Sequence, residues 1–484
     1  MRSTPEQNPT RFSAAPTLEE LCNRAQRQAE ATARPVLACF AFPVGRADPL
    51  RLAGLNLAGG FRFFWQFPRE NFALVAGGAA VRLRTGGPER FGAMSEQVEP
   101  LLREAVSGCA EGPEELQMAG PYALGGFSFF EDPEENRWPG FGPAQLVVPE
   151  WMMLREGAEA VGMVSGLLAP GESPSPTIER MARVAAEFSG AVQSAGTDEA
   201  VLDALGPRPA FAFVDGVEGH RHWIEMVKSA LAEIREGTLA KVVLARQVEL
   251  ICREAPSPLP ILAQLRSAYP DCFTFMIDPG GGQSFLGASP ERLARFRKGE
   301  VNLGALASSA PRGEGEEADG ALARRLLESE KERLEHQIVV DAILRAVEDC
   351  GPLELPAEPQ VVRLNNVQHL FTPITLRPTR PLAPLKLLER VHPTPAVGGH
   401  PKREALRHIR HHETFDRGWY GAPVGWLNAR GEGDFAVALR AAVLAGSRVR
   451  LFAGGGIVAG SDPEREYVET QLKLRPILAA FANE

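Results

Sequence analysis

Residues 451–473 read LFAGGGIVAGSDPEREYVETQLK. An apolar strand runs into three glycines, which read as a turn. Ser461-Asp462-Pro463 then opens a helix, whose first N–H groups favour an anion. Glu466 and Glu469, at i and i+3, share a face of that helix, and Lys473 stands one turn beyond Glu469. A bare backbone for an anion beside carboxylates for a cation is one reading of the stretch. A solvated helix with an ordinary Glu–Lys pair is the other.

A second acidic segment, LLESEKERLEHQIVVDAI, carries Glu332, Glu335 and His336. Its apolar face is Leu326, Leu327, Leu334, Ile338, Val339 and Ile343, and Glu335 falls close to that face. A carboxylate near a core needs a partner or a metal. Carboxylates from separate elements make a hard-cation site of the Mg²⁺ kind; a solvated acidic face is the plain alternative. Lys241 begins the apolar strand KVVLARQVEL, where a lysine either acts as a base or snorkels at a strand edge. Glu291 follows GASP at a strand-to-helix turn, where first-turn charge stabilisation is its plain role. Arg440 interrupts the apolar ALRAAV and calls for a carboxylate or phosphate. HIRHHE, residues 408–413, is not HExxH and reads as an exposed helix face rather than a zinc site.

These groups need a large scaffold. The 484 residues are 44% hydrophobic and 23% charged, the balance of a soluble globular protein. The net charge of −9 leaves no basic footprint for nucleic acid. No run approaches the roughly 20 apolar residues of a membrane span, and MRSTPEQNPTRFS has no signal-peptide apolar core. Six cysteines without CxxC pairs read as reduced thiols, placing the protein in the cytoplasm. Residues 1–16 read as a flexible tail. TLEE is a capping-box start for a helix to about Ala33. FRFFWQF, FALVAGGAAVRL, YALGGFSFF and AQLVVPEWMML read as strands, with an acidic helix near 95–107. The Pro/Ser-rich LLAPGESPSPT and GPRPAF bracket a boundary between 168 and 212, which divides a mostly β part, 17–205, from a second part, 206–484. There a helix over about 220–236 precedes KVVLARQVEL; SFLGAS leads into PERLARF, a long charged helix covers about 317–348, and VGWL, DFAVALRAAVL and VRLFAGGG form a meander. Strands in runs with interspersed helices favour an α+β class.

Eight segments in order over about 210–480 carry a resemblance: KVVLAR, FLGASPERL, LLESEKERLEH, NNVQHL, VHPTPAVGG, DRGWYGAPVGW, LRAA and AGGGIVAGSDPEREYVETQLK. Together they resemble the chorismate-utilising enzymes, and among these the isochorismate synthases. GGFSF, the W-x-GF of Trp138–Phe141 and LVVPEW resemble the more variable N-terminal part of that family.

The resemblance implies two large, mostly antiparallel β-sheets packed face to face with helices outside, a monomer, and chorismate as substrate. It implies that Glu335 and Glu469 ligate Mg²⁺, with Glu332 and Glu466 holding the metal's waters. Arg440, Tyr420, Lys473 and the backbone at Gly454 and Gly456 would grip the enolpyruvyl carboxylate. Lys241 would activate a water for attack at C2, and Glu291 would protonate the departing C4 hydroxyl. His369 matches an active-site histidine that positions rather than abstracts protons. Lys241, Ala307 and Ala396 together favour isochorismate over the anthranilate, aminodeoxychorismate and salicylate products of relatives; salicylate synthase and anthranilate-type amination are the alternatives. The product would feed menaquinone, siderophore or salicylate synthesis. Two positions depart from the family pattern: Ser308, beside Ser309, replaces a glycine that approaches the ring carboxylate, and Glu332 replaces an aspartate.

Overall fold

The structure, a computed structural model, describes residues 17–45, 47–110, 119–195, 211–213 and 217–481. The first sixteen residues and the 196–210 stretch, where the expected boundary falls, lie outside them.

Two sheets make up the α+β architecture, as expected. Among the described residues the larger has 13 strands, and its path runs Phe211–Phe213, Lys241–Cys252, Arg448–Val458, Ala441–Ala445, Gln283–Ser289, Phe273–Asp278, Arg62–Phe67, Phe72–Gly77, Trp151–Glu156, Glu159–Leu168, Val36–Pro43 and Val106–Cys109. The smaller has 10 strands among the described residues and includes Val367–Leu376, Glu300–Pro311, Arg292–Arg297, Gly433–Val437, Pro423–Asn428, Tyr122–Phe127 and Ala144–Val148. Among the described residues, the one parallel pairing joins Val36–Pro43 to Val106–Cys109. Both sheets draw strands from either side of residue 205.

Side-chain alternation explains the layers. Phe63, Trp65, Leu74, Met152 and Leu154 of the large sheet meet Leu124, Val147, Val424 and Ala436 of the small sheet in an inner core. Phe64, Val75, Trp151 and Met153 point the other way, into a core shared with Leu21, Phe188, Ile261 and Ile477 of covering helices. Ala123, Leu146, Phe435 and Val437 do the same for the small sheet, against Met94, Val339, Leu388 and Ile409. Both faces of each sheet are therefore buried, and each position of a strand can be apolar.

The Thr17–Glu20 capping box forms as read, and its helix spans Leu18–Thr32. The helix near 95–107 lies instead at Arg90–Arg103. Two of the apolar segments each divide into two strands, Phe72–Gly77 with Val81–Thr85 and Ala144–Val148 with Trp151–Glu156.

Four further corrections bear on the site. The strand Arg448–Val458 continues through Gly454, Gly455 and Gly456, so the glycines form no turn. PERLARF is no helix: after Ser289 the chain leaves the large sheet and enters the small one at Arg292, with Glu291 in the crossing. DFAVALRAAVL is likewise two strands, one in each sheet, crossing at Ala438–Arg440, and Arg440 adopts a left-handed φ of 48°. The long charged helix breaks at Ser329, giving Glu316–Glu328 and Glu330–Val347, and the Ser329 side chain caps the second helix. On that second helix Leu334 is 57% exposed while Glu335 and His336 are buried. Among the described residues, no helix is long and apolar enough to cross a membrane.

Candidate active site

Between the sheets lies a cavity of about 110 Å³ lined by all sixteen residues to which the resemblance gave a part in the site. Lys241, Val243 and Ala245 present one face of their strand; Phe452, Gly454 and Gly456 do so from the neighbouring strand, in register as Val243↔Gly456 and Ala245↔Gly454. Ser308, Ser309 and His369 come from the small sheet, and Glu332, Glu335, Glu466, Glu469 and Lys473 come from two helices. Ala307, Ala396 and Tyr420 complete the wall.

The two sheet crossings explain how Glu291 and Arg440 enter. Gly287 pairs with Ala441 and Arg292 with Ala436, so the crossings lie side by side. The Glu291 carbonyl accepts from Val437 N (3.0 Å), Ser289 Oγ donates to the Val437 carbonyl (2.5 Å), and Glu291 N donates to Ser289 Oγ (3.2 Å). Glu291 as a whole is 5% exposed. Burial pushes its pKa up to about 8, although Lys241 and Lys473 pull the other way. It is a carboxyl kept mostly protonated at neutral pH, and first-turn helix stabilisation is not its role.

Each of three carboxylates rests on a lysine. Lys241 Nζ stands 2.9 Å from Glu335 Oε1, with the lysine side chain 1% exposed. Lys473 Nζ stands 2.7 Å from Glu469 Oε1 and donates to the Gly454 carbonyl at 3.0 Å. Lys331 Nζ lies 3.4 Å from Glu466 Oε1. Burial would raise the Glu335 pKa, but Lys241, with Lys473 and Lys331, more than offsets it and holds it below the usual range. Glu466 is pushed up to about 7, first by burial and then by Glu469. Glu332 is raised by burial and by Glu335. Crowded carboxylates that resist full ionisation are an all-oxygen donor set that a hard divalent cation relieves, so the residues present fit such an ion.

Glycine is needed where the backbone meets these groups. A Cβ placed on Gly456 would stand 2.4 Å from Glu335 Oε1, whereas one on Gly455 would meet nothing closer than 3.6 Å. Helix Pro463–Ala479 does not offer its start to the cavity as expected: Asp462 caps it, accepting from Arg465 N.

Ser308 occupies a bulge. The register between Glu300–Pro311 and Val367–Leu376 shifts between Ala307 and Ser309, and Ser308 takes the left-handed φ of 62°. Glycine usually fills such a position. Here the one hydroxyl proton is shared between two acceptors, the Glu332 carbonyl (2.8 Å) and Glu335 Oε2 (3.3 Å), which sets the side chain against a carboxylate rather than opening space.

His369 Nδ1 lies 3.0 Å from Ser309 Oγ and 3.2 Å from the Ser308 carbonyl, and Nε2 lies 3.4 Å from Arg440 Nη2. A carbonyl can only accept, so Nδ1 carries the proton and Nε2 accepts from Arg440. Burial, with Arg440 and Lys473, lowers the His369 pKa to about 3 and keeps the ring neutral. Arg440 is 7% exposed, and its Nη1 has no hydrogen-bond partner among the described residues.

Two charged lining residues escaped the sequence reading. Lys331 stood in the quoted LLESEKERLEH, where its place one residue before Glu332 was the available signal. Arg417, in DRGWYG, donates to the Val397 and Val243 carbonyls and pairs with Glu413, bracing the cavity wall.

Residues 23–482 match the family model described as chorismate binding enzyme. The salicylate biosynthesis isochorismate synthase of Pseudomonas aeruginosa is 38% identical over 465 residues, covering 95% of this chain and 93% of that protein. The isochorismate synthase MenF of Bacillus subtilis is 35% identical over 93% of this chain and 94% of its own length. Among solved structures, MenF of Escherichia coli, the menaquinone-specific isochorismate synthase, superposes with a TM-score of 0.74 at 26% identity, covering 96% of this chain and 99% of that one. The cavity, the sheets that enclose it and the extent of these matches place the chain in the chorismate binding enzyme family.

Proposed function

We infer that the protein is an Mg²⁺-dependent isochorismate synthase, which adds water at C2 of chorismate, expels the C4 hydroxyl and shifts the ring double bonds. The observation that carries this reading is the meeting, in one cavity, of Lys241 and a buried Glu291 with its pKa raised to about 8. Water addition with hydroxyl loss needs a base at one ring carbon and a protonated acid at another.

Glu335 and Glu469 would hold Mg²⁺ directly, and Glu332 and Glu466 would hold its waters. Bound there, the cation would neutralise the ring carboxylate and draw electron density from the ring. Ser308 steadies Glu335 for that task. The second carboxylate, on the enolpyruvyl group, would lie against Arg440, Tyr420, Lys473 and the backbone of Gly454 and Gly456. His369 holds the Arg440 guanidinium through Nη2 and, being neutral, adds no competing charge.

Lys241 takes a proton from the water whose oxygen bonds to C2. Glu291 gives its proton to the C4 oxygen, which leaves as water. One water enters and one departs, so the change is an isomerisation. Lys241 would act as the free amine, so its ion pair with Glu335 would have to open for the proton to be taken. Ala307 and Ala396 present small apolar surfaces to the cavity, which favours a reaction that stops at isochorismate.

Product analysis of the purified protein with chorismate and Mg²⁺ tests this reading. Isochorismate should accumulate to the same ratio with chorismate from either direction. Pyruvate with salicylate, or turnover only with ammonia, would replace it with one of the alternatives.

A further inference from the structure

HIRHHE is not the exposed helix face its sequence suggested throughout: His408 and Ile409 are buried, while Arg410 and His411 are exposed. His408 is 2% exposed, on helix Lys402–His412, which packs beside helix Val217–Arg235. His408 and His412 stand one turn apart on one face, their ring centroids 4.2 Å from each other. Glu233 comes from the other helix. One candidate ligand atom from each of Glu233, His408 and His412 lies within 4.8 Å of the other two, the one such trio of metal-ligating groups among the described residues.

The hydrogen bonding of this trio is incomplete. His408 Nδ1 lies 2.8 Å from Glu233 Oε1, but His408 Nε2 is buried without a partner. Glu233 Oε2 also lacks a hydrogen bond, and the nearest cation to it is Arg407 at 3.7 Å. His412 Nε2 lies 3.1 Å from Ser229 Oγ. Leaving a buried donor or acceptor without a partner is unfavourable.

We propose that Glu233, His408 and His412 form a second metal site, separate from the cavity, for a borderline transition-metal dication of the Zn²⁺ class. Two imidazoles and a carboxylate suit such an ion and leave one position for water. The oxygen-only set of the cavity suits a hard ion instead. A tetrahedral zinc site with bonds of about 2.1 Å sets its ligand atoms about 3.4 Å apart, so the trio needs only a modest side-chain contraction. The ion would tie the two helices together. It would also sit next to Glu413, which accepts from Ala245 N at 2.7 Å and holds Arg417, both of them cavity-lining residues.

The test uses the full chain, stripped of metal with a chelator, and titrations with Zn²⁺ and separately with Co²⁺. Wild type should bind one zinc per chain at this site, and cobalt there should give the visible absorption of a tetrahedral nitrogen–oxygen site. His412→Ala and Glu233→Gln should weaken zinc binding by about tenfold or more and lose the cobalt band, with circular dichroism confirming that both fold. Glu469→Gln, altered in the cavity, should keep the band. The proposal is overturned if wild type shows no such band, if His412→Ala and Glu233→Gln bind zinc as wild type does, or if Glu469→Gln abolishes the band instead. Isochorismate formation is not a readout here, so the activity assigned to the cavity can fail independently.

Discussion

Gly456 and Gly455 are adjacent on one strand, yet alanine should act very differently at each. Neither has a positive φ, so backbone strain does not enter. A Cβ at 456 would stand 2.4 Å from Glu335 Oε1 and 3.3 Å from Lys241 Cε. Ordinary contact begins near 3.4 Å, so the carboxylate must retreat by about 1 Å, the difference between the two distances. That retreat moves a proposed metal ligand away from its place beside Lys241. A displacement of this size at a reacting centre costs about 10²-fold in rate, or about 2.7 kcal/mol. At 455 the nearest atoms are Trp223 Cζ2 at 3.6 Å and Glu466 Oε2 at 3.7 Å, and nothing has to move. Steady-state kinetics on chorismate at saturating Mg²⁺ should therefore show Gly456→Ala reduced about 10²-fold in kcat/KM and Gly455→Ala close to wild type. Equal activity of two folded variants would refute the argument that Glu335 is held against this backbone for catalysis.

The other predictions concern single residues. Ser308→Gly should unfold at a free energy about 1 kcal/mol higher than Ser308→Ala, because alanine keeps the left-handed strain while both lose the hydroxyl; denaturant titration measures this, and both variants should bind Mg²⁺ more weakly than wild type. If Glu291 is the acid, kcat/KM should fall as pH rises through about 8, where its proton is lost. The same raised pKa means that the folded state binds more protons than the unfolded one between 4.5 and about 8; stability should decline with rising pH across that window, and Glu291→Gln should flatten the decline in urea melts at several pH values. Lys241→Ala should abolish isochorismate formation yet leave Mg²⁺-dependent chorismate binding measurable by calorimetry, whereas Glu469→Gln should weaken metal and substrate binding together.

Much of the site was readable because its chemistry sits in short contiguous motifs. Glu466, Glu469 and Lys473 follow helical spacing, and Glu335 falls on a buried helix face, so type and spacing identified them before any packing was known. What the sequence hid was topology. A strand that ends in one sheet and resumes in the other keeps its apolar character, because both faces of both sheets are buried. DFAVALRAAVL therefore looked continuous, and nothing local marked Arg440 or Glu291 as standing at crossings. The helix break at Ser329 uses neither glycine nor proline. The glycine triplet misled in the opposite direction: composition signals a turn, but Gly456 is small because a carboxylate and a lysine press against the strand. His408 was read as exposed because helix Lys402–His412 carries mostly charged residues, and only the packing of Glu233 against it shows the burial.

The most direct test of the account is the fate of solvent oxygen. Chorismate and Mg²⁺ are incubated with the protein in heavy-oxygen water, and the product is examined by mass spectrometry. Isochorismate carrying one heavy oxygen at C2, absent with Lys241→Ala, is the expected result. Isochorismate whose C2 hydroxyl contains no solvent oxygen would contradict the proposed water addition, and the absence of isochorismate would contradict the assigned activity.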